Sequence, residues 1–175
     1  FVSKYNGLVG AQESIDSVWA KVETQYQRRA DLIPNLVSTV KGYADFEQET
    51  LTKVVEARAK ATQTTIDPSN MTSAQLQNFQ GAQGELSGAL SRLLVTIEKY
   101  PDLKANQNFL ELQAELAGTE NRIGVARDNF NSEAKNYNTT IKKFPTNLIA
   151  GLFNFEAKPY FEADAGSKNA PKVEF

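Results

Sequence analysis

Two stretches gather the residues whose types and spacing could do chemistry. QRRADLIPNLVSTVKGY, residues 27–43, brings Arg28, Arg29, Asp31 and Asn35 beside an apolar run. GTENRIGVARDNFN, residues 118–131, sets Glu120, Arg122 and Arg127 around Ile123. A carboxylate among guanidinium groups can move a proton, bind an ion or close a salt bridge. What the chain lacks narrows that choice. It has no histidine and no cysteine, which removes imidazole zinc sites, thiolate chemistry and every nucleophile–imidazole pair. Acid/base work would fall to Asp, Glu, Lys or Tyr, which titrate near neutrality only under strong burial. Di-iron carboxylate bundles need Glu-x-x-His, which is absent here. Glu85 and Gln83 could face Glu120, so an all-carboxylate Mg²⁺ or Ca²⁺ site or enzyme is one alternative, without the acidic loop of a dedicated calcium site. Charges at helix junctions ordinarily cap ends or pair between helices. The seven residues are therefore read as structural or interaction residues. No catalytic, metal-binding or cofactor-binding residue is assigned, no cofactor is expected, and the protein is read as no enzyme.

The elements that must position these residues are helices. In the first segment Leu8, Ala11, Ile15, Val18, Val22 and Gln25 alternate three- and four-residue steps, with Trp19 beside them. Leu76, Phe79, Gln83, Leu86, Leu90, Leu93 and Ile97 repeat the pattern, interrupted only by Gln83, and Phe109, Leu116, Ile123, Phe130, Tyr137 and Phe144 recur every seven residues. Such periods mark long helices packed at shallow angles, and the pattern predicts an all-α fold: an antiparallel four-helix bundle of long helices with a short C-terminal helical and aromatic segment. Arg28 and Arg29 would close the first helix. Asp31 reads as the N-cap of the second, with Pro34 in its first turn. That second helix would run from Leu32 to about Thr64 along a face that includes Ala44, bent near Gly42 or restarted at Asp45. TSAQ, 72–75, reads as a capping box, while DPSN (67–70) and YPDL (100–103) are turns and Pro145 ends the fourth helix. Gly81, Gly84 and Gly88 would offer a smooth face for a close helix approach, since each glycine costs about 1 kcal/mol in a helix interior.

The 19 basic and 21 acidic residues nearly cancel, so no field steers the surface toward nucleic acid. The strongest apolar run, LIAGLF at 148–153, is far shorter than the roughly 20 residues of a spanning helix. GAQGELSG lacks the Lys-Ser/Thr of a phosphate loop, and the NTT sequon at Asn138 falls on a predicted helix. After Pro145, Phe153, Phe155, Tyr160 and Phe161 form an aromatic clasp closing one end of the bundle, or an interfacial foot. The expected organisation is one domain over 1–163 and an extended or poorly ordered tail over 164–175.

YNGLV (5–9), Trp19, RRADLIPNLVSTVKGYA (28–44), Ala57-Arg58, EKYPDLKA (98–105), ENRI (120–123), Ala126-Arg127, Tyr137-Asn138 and Phe144-Pro145 together resemble the LemA family of bacterial proteins, in order along nearly the whole chain. Phe130 stands where members often have tyrosine and Phe46 where many have histidine. The resemblance implies a helical domain behind one N-terminal transmembrane helix, with Phe1-Val2 as the last vestige of that anchor. It implies no established catalytic activity. The function expected is a non-catalytic, membrane-anchored scaffold or adaptor of the bacterial cell envelope, on a side of the membrane the sequence leaves open, with a lipid-surface organiser as a further alternative. Expected partners are another envelope or membrane protein, the membrane through the anchor, and a second copy of the chain, but not nucleic acid.

Overall fold

The computed structural model describes residues 1–43 and 45–163, and among these the fold is all-helical. The longest element follows from two rows of period seven. Leu8, Ile15, Val22, Arg29 and Leu36 form one, Trp19, Tyr26, Ile33 and Val40 the other, and every member is buried. Both rows lie on one unbroken helix, α1 (Val2–Lys41), 40 residues long and so about 60 Å from end to end. It is followed by α2 (Gln48–Gln63), a 3₁₀ turn (Pro68–Asn70), α3 (Ser73–Ile97), the one-turn α4 (Pro101–Lys104), α5 (Gln107–Lys142) and α6 (Thr146–Leu152). Position 44 and the expected tail, 164–175, lie outside the described residues.

Running α1 through residues 28–41 corrects the reading of the opening stretch. Arg28 and Arg29 do not close a helix and Asp31 caps none: it sits mid-helix, exposed, accepting a hydrogen bond from Gln27 Nε2 at 2.8 Å. Pro34 is inside α1 rather than in a first turn. α1 ends at Lys41 and α2 opens at Gln48 behind Glu47, so neither a bent 32–64 helix nor a start at Asp45 is formed. Pro34 is tolerated for a visible reason. Without an N–H it cannot bond the carbonyl of Ala30 four residues back. That freed carbonyl instead accepts from Arg58 Nε, on α2, at 2.8 Å.

The other boundaries follow their local chemistry. Thr72 and Gln75 form the reciprocal capping box of α3, Asn106 Oδ1 caps α5 through the Phe109 amide at 3.1 Å, and Asp67 accepts from the Ser69 amide at 2.9 Å in the 3₁₀ turn. The most extensive packing is α1 on α5 and α2 on α3. α1 and α5 run in opposite directions: Tyr43 meets Asn106, Arg28 meets Glu115 and Arg122 meets Gln25. The glycines of α3 do not form a close-approach seam. A Cβ at Gly81 or Gly84 would meet nothing within 4 Å, and one at Gly88 only the flexible Arg92 side chain at 3.9 Å.

The core divides into two apolar clusters along the long helices. One gathers Leu8 to Tyr26 of α1 with Leu76 and Phe79 of α3 and Ile123 to Ile141 of α5. The other gathers Ile33 to Val40 with Leu51 and Val54 of α2, Leu86 to Ile97 of α3, and Phe109 and Leu116 of α5. Phe144, the last member of the seven-residue row, does not join either: it lies beyond the end of α5 and is 80% exposed.

The Pro34–Ala30–Arg58 arrangement carries a prediction. Arg58→Ala should cost about 2 kcal/mol in urea unfolding, the range for a hydrogen bond from a charged donor. In a Pro34→Ala background the restored amide of residue 34 serves the same carbonyl, and the cost of Arg58→Ala should fall by at least about 0.5 kcal/mol. Identical costs in the two backgrounds would refute the coupling.

Candidate functional site

Between the two apolar clusters the core-facing rows carry polar residues at one level: Arg29 on α1, Gln83 on α3 and Thr119 on α5, all buried. Arg29 is 1% exposed, and its guanidinium reaches two helices. Nη1 donates to Ser87 Oγ and to Glu120 Oε1, both at 2.9 Å; Nη2 donates to the Gln83 carbonyl at 2.9 Å and to Gln83 Oε1 at 2.7 Å. Tyr26, one turn earlier, places its ring 5.1 Å from the guanidinium carbon. Burial pushes the Tyr26 phenol up, and the charges of Arg127 and Arg29 pull it back. Among the described residues, Arg29 Nε finds no hydrogen-bond partner. A cleft of about 190 Å³ opens beside this layer, lined by Tyr26, Arg29, Gln83, Gly84, Ser87, Glu120 and Arg127 among others.

The seven singled-out residues do not form one site. Arg29 and Glu120 meet, and Arg127 flanks the same cleft. Arg127 also turns to the C-terminal segment, donating from Nη2 to the Glu162 carbonyl at 2.9 Å with its guanidinium 5.0 Å from the Phe161 ring. Arg122 points the other way, to Gln25 Oε1 and Thr119 Oγ1, both at 3.3 Å, beside an apolar groove of about 310 Å³ with Val18 and Val125 in its wall. Arg28 pairs at the surface with Glu115, at 2.8 Å, and holds that carboxyl below its usual range through the hydrogen bond and the charge. Asp31 stays exposed on α1, and Asn35 lines a separate open groove with Ser38, Asn108 and Glu111. Glu85 does not face Glu120: both its oxygens accept from Lys60 Nζ, at 2.8 and 2.9 Å. Among the described residues, no three acidic side chains converge as a metal site would need.

The polar ties of the C-terminal segment were not singled out in the sequence. Beyond α6 the chain runs extended over the helices, and three amide side chains grip its backbone as a neighbouring strand would. Asn138 accepts from the Lys158 amide and donates to the Lys158 carbonyl, both at 2.8 Å. Asn131 does the same for Phe161 at 2.8 and 3.1 Å, and Gln80 for Glu162 at 3.2 and 2.8 Å. Phe161 is buried, stacked on Trp19 at 5.9 Å and edge-on to Phe130 at 5.5 Å; Phe155 packs on Tyr5 at 5.9 Å. This is the aromatic clasp, made by Phe155 and Phe161, while Phe153 and Tyr160 remain about half exposed. Asn138, the acceptor of the formal sequon, is buried and committed to the strap. Lys158 is buried too. Its ammonium donates to the Pro68 carbonyl at 2.8 Å; burial lowers its pKa, and the charges of Asp16, Asp67 and Glu156 oppose that shift. Asp16 is pushed up by burial first and by Glu13 next, against the pull of Lys158, and its Oδ1 has no partner among the described residues.

Two measurements follow. Glu120→Ala leaves Arg29 in the core without its counter-charge and should cost about 3 kcal/mol, while Arg29→Met should cost clearly less, because Glu120, 44% exposed in its side chain, returns to water. The reverse order in urea unfolding would show that the pair is not what Arg29 depends on. For Asp16 the folded-state pKa lies above the ordinary 3.8, so the ionised carboxylate opposes folding above that raised value and the penalty vanishes as pH falls below 3.8. Asp16→Asn should therefore stabilise the protein at pH 7 and give no gain at pH 3; an equal gain at both would exclude the carboxylate charge as the cause.

The chain resembles known proteins over most of its length. Residues 18–175 match the model of the LemA family. Protein LemA of Metamycoplasma hominis is 27% identical over 165 residues, covering 93% of this chain and 71% of that protein. Magnetosome protein MamQ of Magnetospirillum gryphiswaldense is 26% identical over 181 residues, covering 93% and 66%, and magnetosome protein MamQ 2 of Paramagnetospirillum magneticum is 26% identical over 176 residues, covering 91% and 65%. The chain thus spans about two thirds of the length of those magnetosome proteins. None of these names denotes a catalytic activity. With a match that runs from before Arg28 through the polar layer and the strap, this chain belongs to the LemA family.

Proposed function

We propose that this chain is the rigid domain of a non-catalytic scaffold or adaptor working at a bacterial envelope membrane, an antiparallel bundle of four long helices carried on a single-pass anchor outside the stretch described. The observation that carries the proposal is the use made of Arg29. The most deeply buried charged group of the motif spends its guanidinium on bonds to α3 and α5, and Arg28, Arg58 and Arg127 are likewise engaged with other segments. Polar groups spent on helix ties make a stiff body whose outer faces are left for partners. Kinship with magnetosome proteins supports a place at a membrane. No helix among the described residues is long and apolar enough to cross one, so the anchor is assigned elsewhere. The metal alternative loses support from the pairing of Glu85 with Lys60 and of Glu120 with Arg29.

The two grooves between α1 and α5, one beside Asn35 and one beside Arg122, are the faces offered to a partner. A photo-reactive residue placed at Ser38, and in a second variant at Val125, of the full-length, anchored protein tests this in intact cells. One abundant envelope or membrane protein should be captured and identified by mass spectrometry. Capture of the protein's own copies alone, or of nothing from either groove, would overturn the adaptor reading.

A further inference from the structure

Six large apolar side chains stand in solvent at one end of the molecule: Phe1, Val2, Phe144, Leu148, Leu152 and Phe153. Three segments bring them there. α6 buries Thr146, Ile149 and Ala150 toward the rest of the fold, which turns Leu148 and Leu152 outward at 63% and 67% exposure. Phe153 follows α6 and packs against the start of α1, its ring 4.8 Å from Tyr5 and 6.4 Å from Phe1. Phe144 lies at the corner between α5 and α6. A concentration of this kind differs from the scattered apolar residues of an ordinary surface.

Charge identifies what would cover it. The stretches that build this end, residues 1–12 and 139–155, contain Lys4, Lys142 and Lys143 and not one Asp or Glu. All three lysines are exposed. The opposite end, around the α1–α2 and α3–α4 connections, mixes Asp45, Glu47, Glu98 and Asp102 with its lysines. An apolar surface flanked by these three lysines, with the first acids along the chain at its margin in Glu13 and Glu156, matches a bilayer with acidic headgroups: rings and leucines enter the acyl boundary while lysines reach phosphates.

We propose that the α6 end, with Phe144, Leu148, Leu152 and Phe153 as inserting groups and Lys4, Lys142 and Lys143 as headgroup contacts, seats this domain directly on an anionic lipid surface. This deepens the membrane reading above and rests on it. It also places the long axis of α1 away from the bilayer, because the patch is at one tip.

The test is flotation of the full 175-residue chain with vesicles of pure phosphatidylcholine and with vesicles containing one quarter phosphatidylglycerol. The chain should float with the anionic vesicles. Leu148→Ser/Leu152→Ser, exposed positions whose change leaves the core intact, should weaken partition at least tenfold. Lys142→Ala/Lys143→Ala should weaken binding to anionic vesicles by about fivefold per lysine and reduce its salt dependence. Absence of wild-type flotation, or equal flotation of the leucine variant, overturns the proposal. So does a wild-type dimer that the leucine variant dissolves without any vesicle binding, which would make the patch a contact between copies. Partner capture at Ser38 alongside failed flotation would sink the lipid seat alone, and flotation without capture would sink the adaptor alone.

Discussion

Burying one guanidinium group in the middle of a helical core sets the terms for the rest of this structure. Removing an ion from water costs several kcal/mol, and only well-placed partners offset it. Arg29 finds them on two different helices: the Ser87 hydroxyl and both oxygens of Gln83 on α3, and the Glu120 carboxylate on α5. Apolar rows alone would tolerate other alignments, because leucines and isoleucines at a period of seven can slide by a heptad and still meet apolar neighbours. Arg29 does not allow it. Sliding α3 by seven residues would bring Leu76 or Leu90 opposite the guanidinium, and sliding α5 would bring Gln113 or Arg127 to the place of Glu120. The polar layer thus fixes one register for α1, α3 and α5, and the apolar clusters on either side supply the stability that register needs.

Much of this was legible from spacing. The helical class, the core rows of α3 and α5, the capping box at Thr72 and the turn at Asp67 are local signals, and local chemistry decided them. The break assigned at Asp31 failed for a tertiary reason. Asp followed three residues later by Pro is a sound helix start, since a proline in a helix interior costs about 3 kcal/mol. Here an arginine 24 positions further along accepts the role of the missing donor, and no local window contains both residues. The same error hid the polar layer, because ending the first helix near Arg29 cut its seven-residue row just where Arg29 belongs to it. Gln83 was visible as the one interruption of an apolar stripe, but its partner was not. The strap was hidden more completely: Gln80, Asn131 and Asn138 sit on helices as ordinary polar residues, and only folding shows that each holds both backbone groups of a residue in 158–162.

The three amide clamps also explain how an irregular segment can lie on a helical surface. An extended chain presents N–H and C=O groups that need partners once covered, and helices have no free backbone groups along their flanks. Asn and Gln carry a donor and an acceptor on one planar group, so each satisfies one residue of the strap as a neighbouring strand would. The strap in turn completes the first core cluster with Phe161, whose ring covers Trp19 and Phe130. Lys158 belongs to this fastening as well. Its burial is costly, and the Pro68 and Ser69 carbonyls that receive it tie the strap to the connection ahead of α3.

Pro34 shows the same economy applied to α2. That helix contributes few large residues to the core, with only Leu51, Val54 and Ala61 buried along its length, so apolar contact alone fixes its position weakly. In a regular helix every interior carbonyl is already bonded four residues on, so a further donor can only share it. Replacing one amide by proline releases a single carbonyl, at Ala30, directly beside the level of Arg29. The arginine of α2 takes it through Nε, whose fixed direction sets the angle as well as the distance. The cost of a proline in the longest helix of the fold is thereby converted into a directional attachment for its shortest long neighbour, and all four long helices become aligned within one turn of the same buried charge.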